Sequence, residues 1–160
     1  DADISIISSD GVRFQLHKKN LALSTGGFPP LEFARTSAGR EEVILSESGY
    51  TLDLLFRFVY PQRYPDLEGI AIGVLSELAD AAEKYEVYAA ILGCKMAMKL
   101  EVSSHPVDVF AYATRYDYLD LADRVAPLIL GTSLNVLASC LSAAALAGWV
   151  QCLPRLSGYG

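Results

Sequence analysis

The side chains able to do covalent or metal chemistry are few and scattered. Two histidines, His17 and His105, stand 88 positions apart in the chain, without the convergent set of Cys, His, Asp or Glu ligands that a metal motif brings together. The three cysteines, Cys94, Cys140 and Cys152, are an odd number without a Cys-x-x-Cys pair. Each falls in a helical, apolar pattern, so all three are expected to be small buried hydrophobes. Serine, histidine and aspartate occur, but no Gly-x-Ser-x-Gly elbow or local cysteine–histidine signature makes them a nucleophile and its base. Gly26-Gly27 is the one glycine pair, and it follows an apolar helical pattern instead of opening a helix after a strand. That is the wrong context for a phosphate cradle, and the pair is expected to stop a helix. The residues therefore point to a protein without a catalytic set, metal or cofactor. An enzyme would need a pocket that gathers His17 or His105 beside an acid and a nucleophile.

Charge and composition narrow the partners. Thirteen Lys plus Arg against nineteen Asp plus Glu leave a net charge of −6, and the pI is near 4.8. Such a field repels nucleic-acid phosphates and anionic lipid, so neither is an expected partner. At 160 residues, 52% hydrophobic and 20% charged, the chain has the apolar content for one folded domain, or one domain with a helical extension. No apolar run reaches the length of a membrane-spanning helix, and Asp1-Ala2-Asp3-Ile4 lacks the basic start of a signal peptide. The expectation is a soluble intracellular protein, cytoplasmic or nuclear.

The elements that position these residues follow from periodicity. Ile4, Ile6, Phe14 and Leu16 alternate with polar residues on either side of Ser9-Asp10-Gly11. This predicts a β-hairpin with those four on a core face, Arg13 and Gln15 on the other, and positive φ supplied by the Asp-Gly pair. Lys18 to Thr25 reads as a short helix closed by glycine, and Phe28 to Glu41, with Pro29-Pro30, as a helical turn and mobile loop. Glu42 to Leu45 is β-prone and predicts a third strand. Leu52, Leu55, Phe56 and Val59 fit a helix capped by Ser48 or Thr51 and ended by Pro61. Leu75, Leu78, Ala79 and Ala82 keep helical spacing up to Tyr85, and Tyr88 to Leu100 follows as a helix with Ile91, Cys94 and Met98 inward. Further helices are expected at Val107 to Tyr116 behind Pro106, at Leu119 to Leu130, and from a Ser133 cap through Leu141, continuing to Trp149. Pro154 to Gly160 reads as a frayed end. The sum is an α+β fold with a small sheet and a cluster of helices.

Several of these residues together resemble the opening of a BTB/POZ domain. They are Asp3-Ile4-x-Ile6, Asp10-Gly11, Phe14-x-x-His17-Lys18, Leu21-Ala22-x-Ser24 and Phe28. In order after them come Val43 to Leu45, Leu52 to Tyr60 with its Phe-x-x-x-Tyr-Pro ending, and Ala81-Ala82-Glu83-Lys84-Tyr85, which is similar to the family's Ala-Asp-Lys-Tyr segment. Gly26-Gly27-Phe28-Pro29-Pro30 and Tyr60-Pro61 are similar to a set of fungal, especially basidiomycete, BTB proteins, which also continue into helices such as Pro106 to Leu141. On this reading residues 1–100 form the BTB-like domain, 101–153 a helical extension packed on it, and 154–160 a flexible end.

The resemblance implies a non-enzymatic protein-interaction fold, commonly a homodimer, serving transcription regulators, cullin ubiquitin-ligase adaptors or channel assembly. In one branch an acid, matched by Asp3, and a basic residue, replaced here by Gln15, form a charged pocket, with Arg13 on the same strand face as a possible substitute or a solvated bystander. The family's swapped helix ahead of the first strand has no counterpart, so dimerisation by that route is not expected. Cullin-binding members carry a hydrophobic residue, a spacer and an acid in the loop matching Ala34 to Glu42, and this chain shows no clear copy. Glu41 and Glu42 read as the solvated start of a strand. Tyr60, Tyr64, Tyr116 and Tyr118 are candidate contact anchors, with a half-buried core role as the alternative. The expected function is partner recruitment or self-assembly, with a cullin adaptor as the alternative.

Overall fold

A computed structural model describes residues 2–26, 28, 35–37 and 40–156. The chain is α+β and divides into two compact units, Asp1–Met96 and Ala97–Gly160. In the first unit lie β1 (Ile4–Ile7), β2 (Arg13–Leu16), α1 (Lys18–Ser24), β3 (Arg35–Ser37), β4 (Arg40–Ile44), α2 (Gly49–Arg57) and α3 (Ile72–Lys84). Helix α4 (Tyr88–Leu100) begins in this unit. The second holds α5 (Pro106–Arg115), α6 (Leu119–Val125), a 3-10 segment Ala126–Ile129, α7 (Leu134–Cys140) and α8 (Ala143–Leu156). Among the described residues no helix is long and apolar enough to cross a membrane.

The four strands form one mixed sheet in the order β2-β1-β4-β3. β1 and β2 are the expected antiparallel hairpin, with Ile6 opposite Phe14 and Ile4 opposite Leu16. Its turn closes through Gly11 N–H to Ser8 O and Ser8 N–H to Val12 O. Only Gly11, at φ +82°, takes positive φ there, so the glycine alone of the Asp-Gly pair supplies it. β1 pairs with β4 in parallel, Ile6 opposite Val43. Side-chain alternation puts Ile4, Ile6, Leu16 and Val43, all buried, on one face.

That face packs on a core centred on α2, whose Leu52 and Leu55 are fully buried. Four rings link its parts edge to face: Phe14 on Phe56 at 5.1 Å, Phe56 on Phe28 at 5.9 Å, and Phe28 on Tyr85 at 4.6 Å. Helix α2 starts at Ser48, whose hydroxyl accepts the Thr51 N–H, so Ser48 and not Thr51 is the cap. A second acceptor comes from the hairpin turn, where Asp10 Oδ1 takes the Gly49 N–H at 2.8 Å. A carboxylate at the positive end of a helix is favourably placed, and the Ser8 hydroxyl and Gly49 amide hold Asp10 below the usual carboxylate range. The approach is close: a Cβ on Gly49 would lie 2.5 Å from Val12 Cγ2.

Several expectations are corrected. The stretch read as a helical turn and loop before Glu42 contains β3, held by antiparallel pairing with β4, while 29–34 lie outside the described residues. Helix α1 ends at Thr25, in extended conformation, instead of on the glycine pair. Gly26 serves a close approach, since a Cβ there would overlap the Glu86 carboxylate. Helix α2 stops at Phe58, before Tyr60-Pro61, and Pro127 turns the end of the expected Leu119 to Leu130 helix into the 3-10 segment. Ser133 sits at the α7 cap position without a side-chain capping bond. A break at Leu141 separates α7 from α8, and α8 carries through Pro154 to Leu156, so these three residues are helical, not frayed. Cys140 is only partly buried, contrary to the buried reading; the Cys152 side chain lies outside what is described.

Because Leu55 is wholly enclosed, Leu55→Ala is expected to destabilise by about 2 to 5 kcal/mol in urea unfolding. Half-buried Phe14, which rests on Phe56, sits at the lower end, with Phe14→Ala costing about 2 kcal/mol. Near-neutral values for both would contradict this core.

Candidate interaction surface

The face of the sheet turned from the core carries Ser5, Ile7, Arg13, Gln15, Glu42 and Ile44. Ser5 is 2% exposed because its neighbours lean over it. Its hydroxyl accepts from Arg13 Nη1 at 3.3 Å and from Gln15 Nε2 at 3.2 Å. Arg13 also pairs with Glu42 two strands away. Beside this polar row Ile7 is half-buried and Ile44, at the end of β4 past its pairing with β3, is 61% exposed. The face is thus a small apolar centre bordered by an ion pair.

The residues named for a charged pocket do not meet as such. Asp3 Oδ1 accepts the Lys18 N–H at the start of α1 at 2.8 Å, where His17, the cap residue, makes no side-chain capping bond to the helix. No hydrogen bond or ion pair joins Asp3 to Arg13 or Gln15. Glu41 and Glu42 lie in a strand and pair with Lys18 and Arg13.

The other motif residues join elements of the first unit. Tyr60 Oη accepts the His17 N–H at 3.1 Å and lies 3.0 Å from His17 Nδ1. One hydroxyl thereby ties the end of β2 to the segment after α2. Ser24 Oγ donates to Val59 O at 2.9 Å, fastening α1 to the same segment, and Leu21 is fully buried beneath it. Lys84 and Tyr85 converge on Glu47: Lys84 Nζ reaches Oε1 at 2.7 Å, and Tyr85 Oη donates to Oε2 at 2.6 Å. Ala82, on the same turn of α3, is fully buried.

Behind this joint opens a groove of about 410 Å³, lined among others by Ser46, Glu47, Thr51, Glu77, Asp80 and Lys84. Thr51 Oγ1 donates to Glu77 Oε2 at 3.0 Å. These acids were not singled out in the sequence, although Glu77 and Asp80, three apart on a helix, are bound to share a face. Glu47 stands in Ser46-Glu47-Ser48-Gly49, a stretch that reads locally as turn.

The candidate tyrosines divide. Tyr64 is 53% exposed and lies against Phe58 at 5.2 Å. Tyr60 is half-buried in its bonds to His17. In the second unit Tyr116 and Tyr118, both half-buried, each sit 5.4 Å from the buried Tyr112 ring. The histidines have separate partners, His105 Nδ1 lying 2.8 Å from Glu101 Oε2. Burial, with the Glu83 charge adding, pushes the Cys94 thiol up to about 12, which leaves it protonated at neutral pH. Among the described residues no group of three His, Cys, Asp or Glu side chains is placed to hold a metal ion.

In comparison with known proteins, no family model matches the chain and no match is found among curated proteins.

The Glu47 joint makes stability depend on pH. Burial raises its carboxyl, but the hydrogen bonds from Lys84 and Tyr85 outweigh burial and leave it below its ordinary 4.5. A carboxyl lowered on folding stabilises above its unfolded pKa, and that stabilisation is lost as pH falls through the folded value. Burial and the Glu47 carboxylate raise the Tyr85 hydroxyl well above its ordinary 10.0, so its contribution is complete below pH 10 and disappears at higher pH. Melting temperature should therefore fall on the acid side below about pH 4.5, and Lys84→Ala, which brings the folded-state value up toward the unfolded one, should lower the melting temperature at neutral pH and make that acid-side fall smaller. Coincident acid arms for the two proteins would show that Lys84 does not hold Glu47.

Proposed function

We propose that this chain is a non-enzymatic protein-interaction module of BTB/POZ type that recruits a protein partner through the open face of its sheet. The order of hairpin, helix, further strands and then helices supports the reading. So does the behaviour of the motif residues, since Phe14, His17, Ser24, Phe28, Tyr60, Lys84 and Tyr85 each join one element to another. The observation that carries it is Ile44. At the end of β4, two residues past its pairing with β3, a β-branched side chain is exposed to 61%, next to half-buried Ile7 and beside Arg13 and Glu42. That arrangement, an apolar centre with a charged rim, is how protein interfaces are built.

Partners on this reading are proteins of the cytoplasm or nucleus. The acidic balance of the chain disfavours nucleic acid and anionic membrane. Adaptation of a cullin ligase is the narrower form of the same reading, and the cullin N-terminal domain is the first defined partner to offer.

The test compares two baits, the natural chain and an Arg13→Glu/Ile44→Glu variant, for partners captured from a cognate extract and for binding to a cullin N-terminal domain. Both substitutions are at exposed positions, so the variant should melt within a few degrees of the natural chain. Its capture of the specific partner should fall at least ~10-fold. Equal capture by the two folded baits would overturn the sheet-face reading, and no cullin binding by either would remove the adaptor form.

A further inference from the structure

The groove beside the Glu47 joint is a site that the sheet-face reading does not use. Its walls come from three parts of the first unit: Ser9 of the hairpin turn, the segment from Ser46 to Thr51 that starts α2, and the face of α3 that carries Glu77, Asp80, Ala81 and Lys84. These four recur at i, i+3, i+4 and i+7, so helical geometry sets them in one row. At about 410 Å³ the groove is of the size of ligand sites, which run from roughly 300 to 1,000 Å³.

The lining selects the occupant. Among the described residues of the walls, Ala81 is the only apolar one and none is aromatic, so the groove gives neither an apolar bed for a lipid tail nor a platform on which a base stacks. Three carboxylates stand against one ammonium, and that ammonium, Lys84 Nζ, is already held by Glu47 Oε1 at 2.7 Å. The surplus of negative charge repels anions, and among the described residues no three acids are placed to hold a metal ion. An organic cation with hydrogen-bond donors is what fits. Glu77 is set to receive one: the hydroxyl of buried Thr51 fixes its Oε2 at 3.0 Å, while among the described residues its Oε1 has no partner. Asp80 stands one turn further along the same row, and the Ser9 and Ser48 hydroxyls add acceptor lone pairs. An ammonium is a point charge, whereas a guanidinium spreads five donors in a plane and bonds a carboxylate and its neighbours at once.

We propose that this groove is a recognition site for a guanidinium on an alkyl stem, the side chain of an arginine presented by a partner peptide, with Glu77 and Asp80 as its anionic contacts and the Ser46 to Thr51 segment as the other wall. The volume leaves room for that side chain and part of the backbone that carries it.

Titration of the whole chain, followed by the chemical shifts of its backbone amides, tests this with three probes: the peptide acetyl-Gly-Arg-Gly-amide, its uncharged citrulline counterpart, and butylguanidinium. The arginine peptide should bind with a dissociation constant on the order of 1 mM and shift amides within 46–51 and 77–84. The citrulline peptide, equal in shape but without the charge, should bind at least ~10-fold more weakly. Glu77→Gln, at an exposed position, should leave the melting temperature within a few degrees and weaken the arginine peptide at least ~5-fold, and Asp80→Asn should weaken it in the same direction. No shifts at these amides up to about 20 mM peptide overturn the proposal. Equal binding of the citrulline peptide, or binding indifferent to Glu77→Gln, also overturns it. Tighter binding of the peptide than of butylguanidinium bears out a peptide as the source of the guanidinium, and equal binding overturns that part in favour of a free alkylguanidine. The sheet-face variant Arg13→Glu/Ile44→Glu should bind the arginine peptide as the natural chain does, and Glu77→Gln should still capture the sheet-face partner, so the two readings fail separately.

Discussion

Parallel pairing of β1 with β4 is the constraint on which the first unit depends. Parallel neighbours cannot be joined by a tight turn, so β2, α1 and β3 must be accommodated before the chain returns to lie beside β1. Once Ile6 stands opposite Val43, the two-residue period decides every facing position. Ile4, Ile6 and Val43 go to the core, and Ser5, Ile7 and Ile44 go to the outside. A slip of one residue would bury Glu42 and expose Val43. The pairing is prolonged past the strands by Leu45 N–H to Ile7 O and by Ser9 N–H to Glu47 O, and these deliver the chain to the start of α2. From there the Leu52 and Leu55 face meets the sheet, and Phe56 completes the row of rings between β2 and α3.

The residues that lend the chain its resemblance to a known family act at the junctions of that scheme. His17 with Tyr60, Ser24 with Val59 O, and Lys84 and Tyr85 with Glu47 each close a long sequence separation with one or two hydrogen bonds. Removing one partner of such a bond leaves the other group part-buried and unmatched, which costs more than the bond contributes. A motif made of joints identifies an architecture and is indifferent to what the architecture is used for. The exposed apolar residues around Ile44 include none of these junction residues.

Much of this was legible in the sequence because burial enforces periodicity. The alternation of Ile4, Ile6, Phe14 and Leu16, and the helical spacing of Leu52, Leu55 and Phe56, are direct consequences of facing one core. Strand β3 was not legible: Arg35-Thr36-Ser37 has no apolar alternation, and its conformation comes from hydrogen bonding to β4. Two helix ends were also hidden in mechanism. α3 and α5 close with left-handed Glu86 (φ 51°) and Asp117 (φ 56°), where glycine is the usual signal. In each, the next amide reaches back into the helix, Val87 N–H to Ala82 O and Tyr118 N–H to Ala113 O. Of the candidate surface, alternation placed Arg13 and Gln15 on the outer face. Their partner Glu42 required the register of a strand far away in sequence. The outer face of α4 was hidden for the opposite reason: its inner residues Ile91, Cys94 and Met98 account for an apolar helix so well that exposed Tyr88, Leu92 and Met96 pass as more of the same.

The contact between the hairpin turn and the start of α2 has a consequence for how this protein can vary by descent. Val12 fills the space where any side chain at position 49 would begin, and Asp10 takes the amide of that same residue. Any side chain at position 49 thus forces valine at position 12 to shift. Lineages that acquire a smaller residue at 12 gain freedom at 49, and those that lose the carboxylate at 10 lose the acceptor for the 49 amide. Relatives of this chain should therefore change at 10, 12 and 49 together, as one inherited character written in two distant places of the gene.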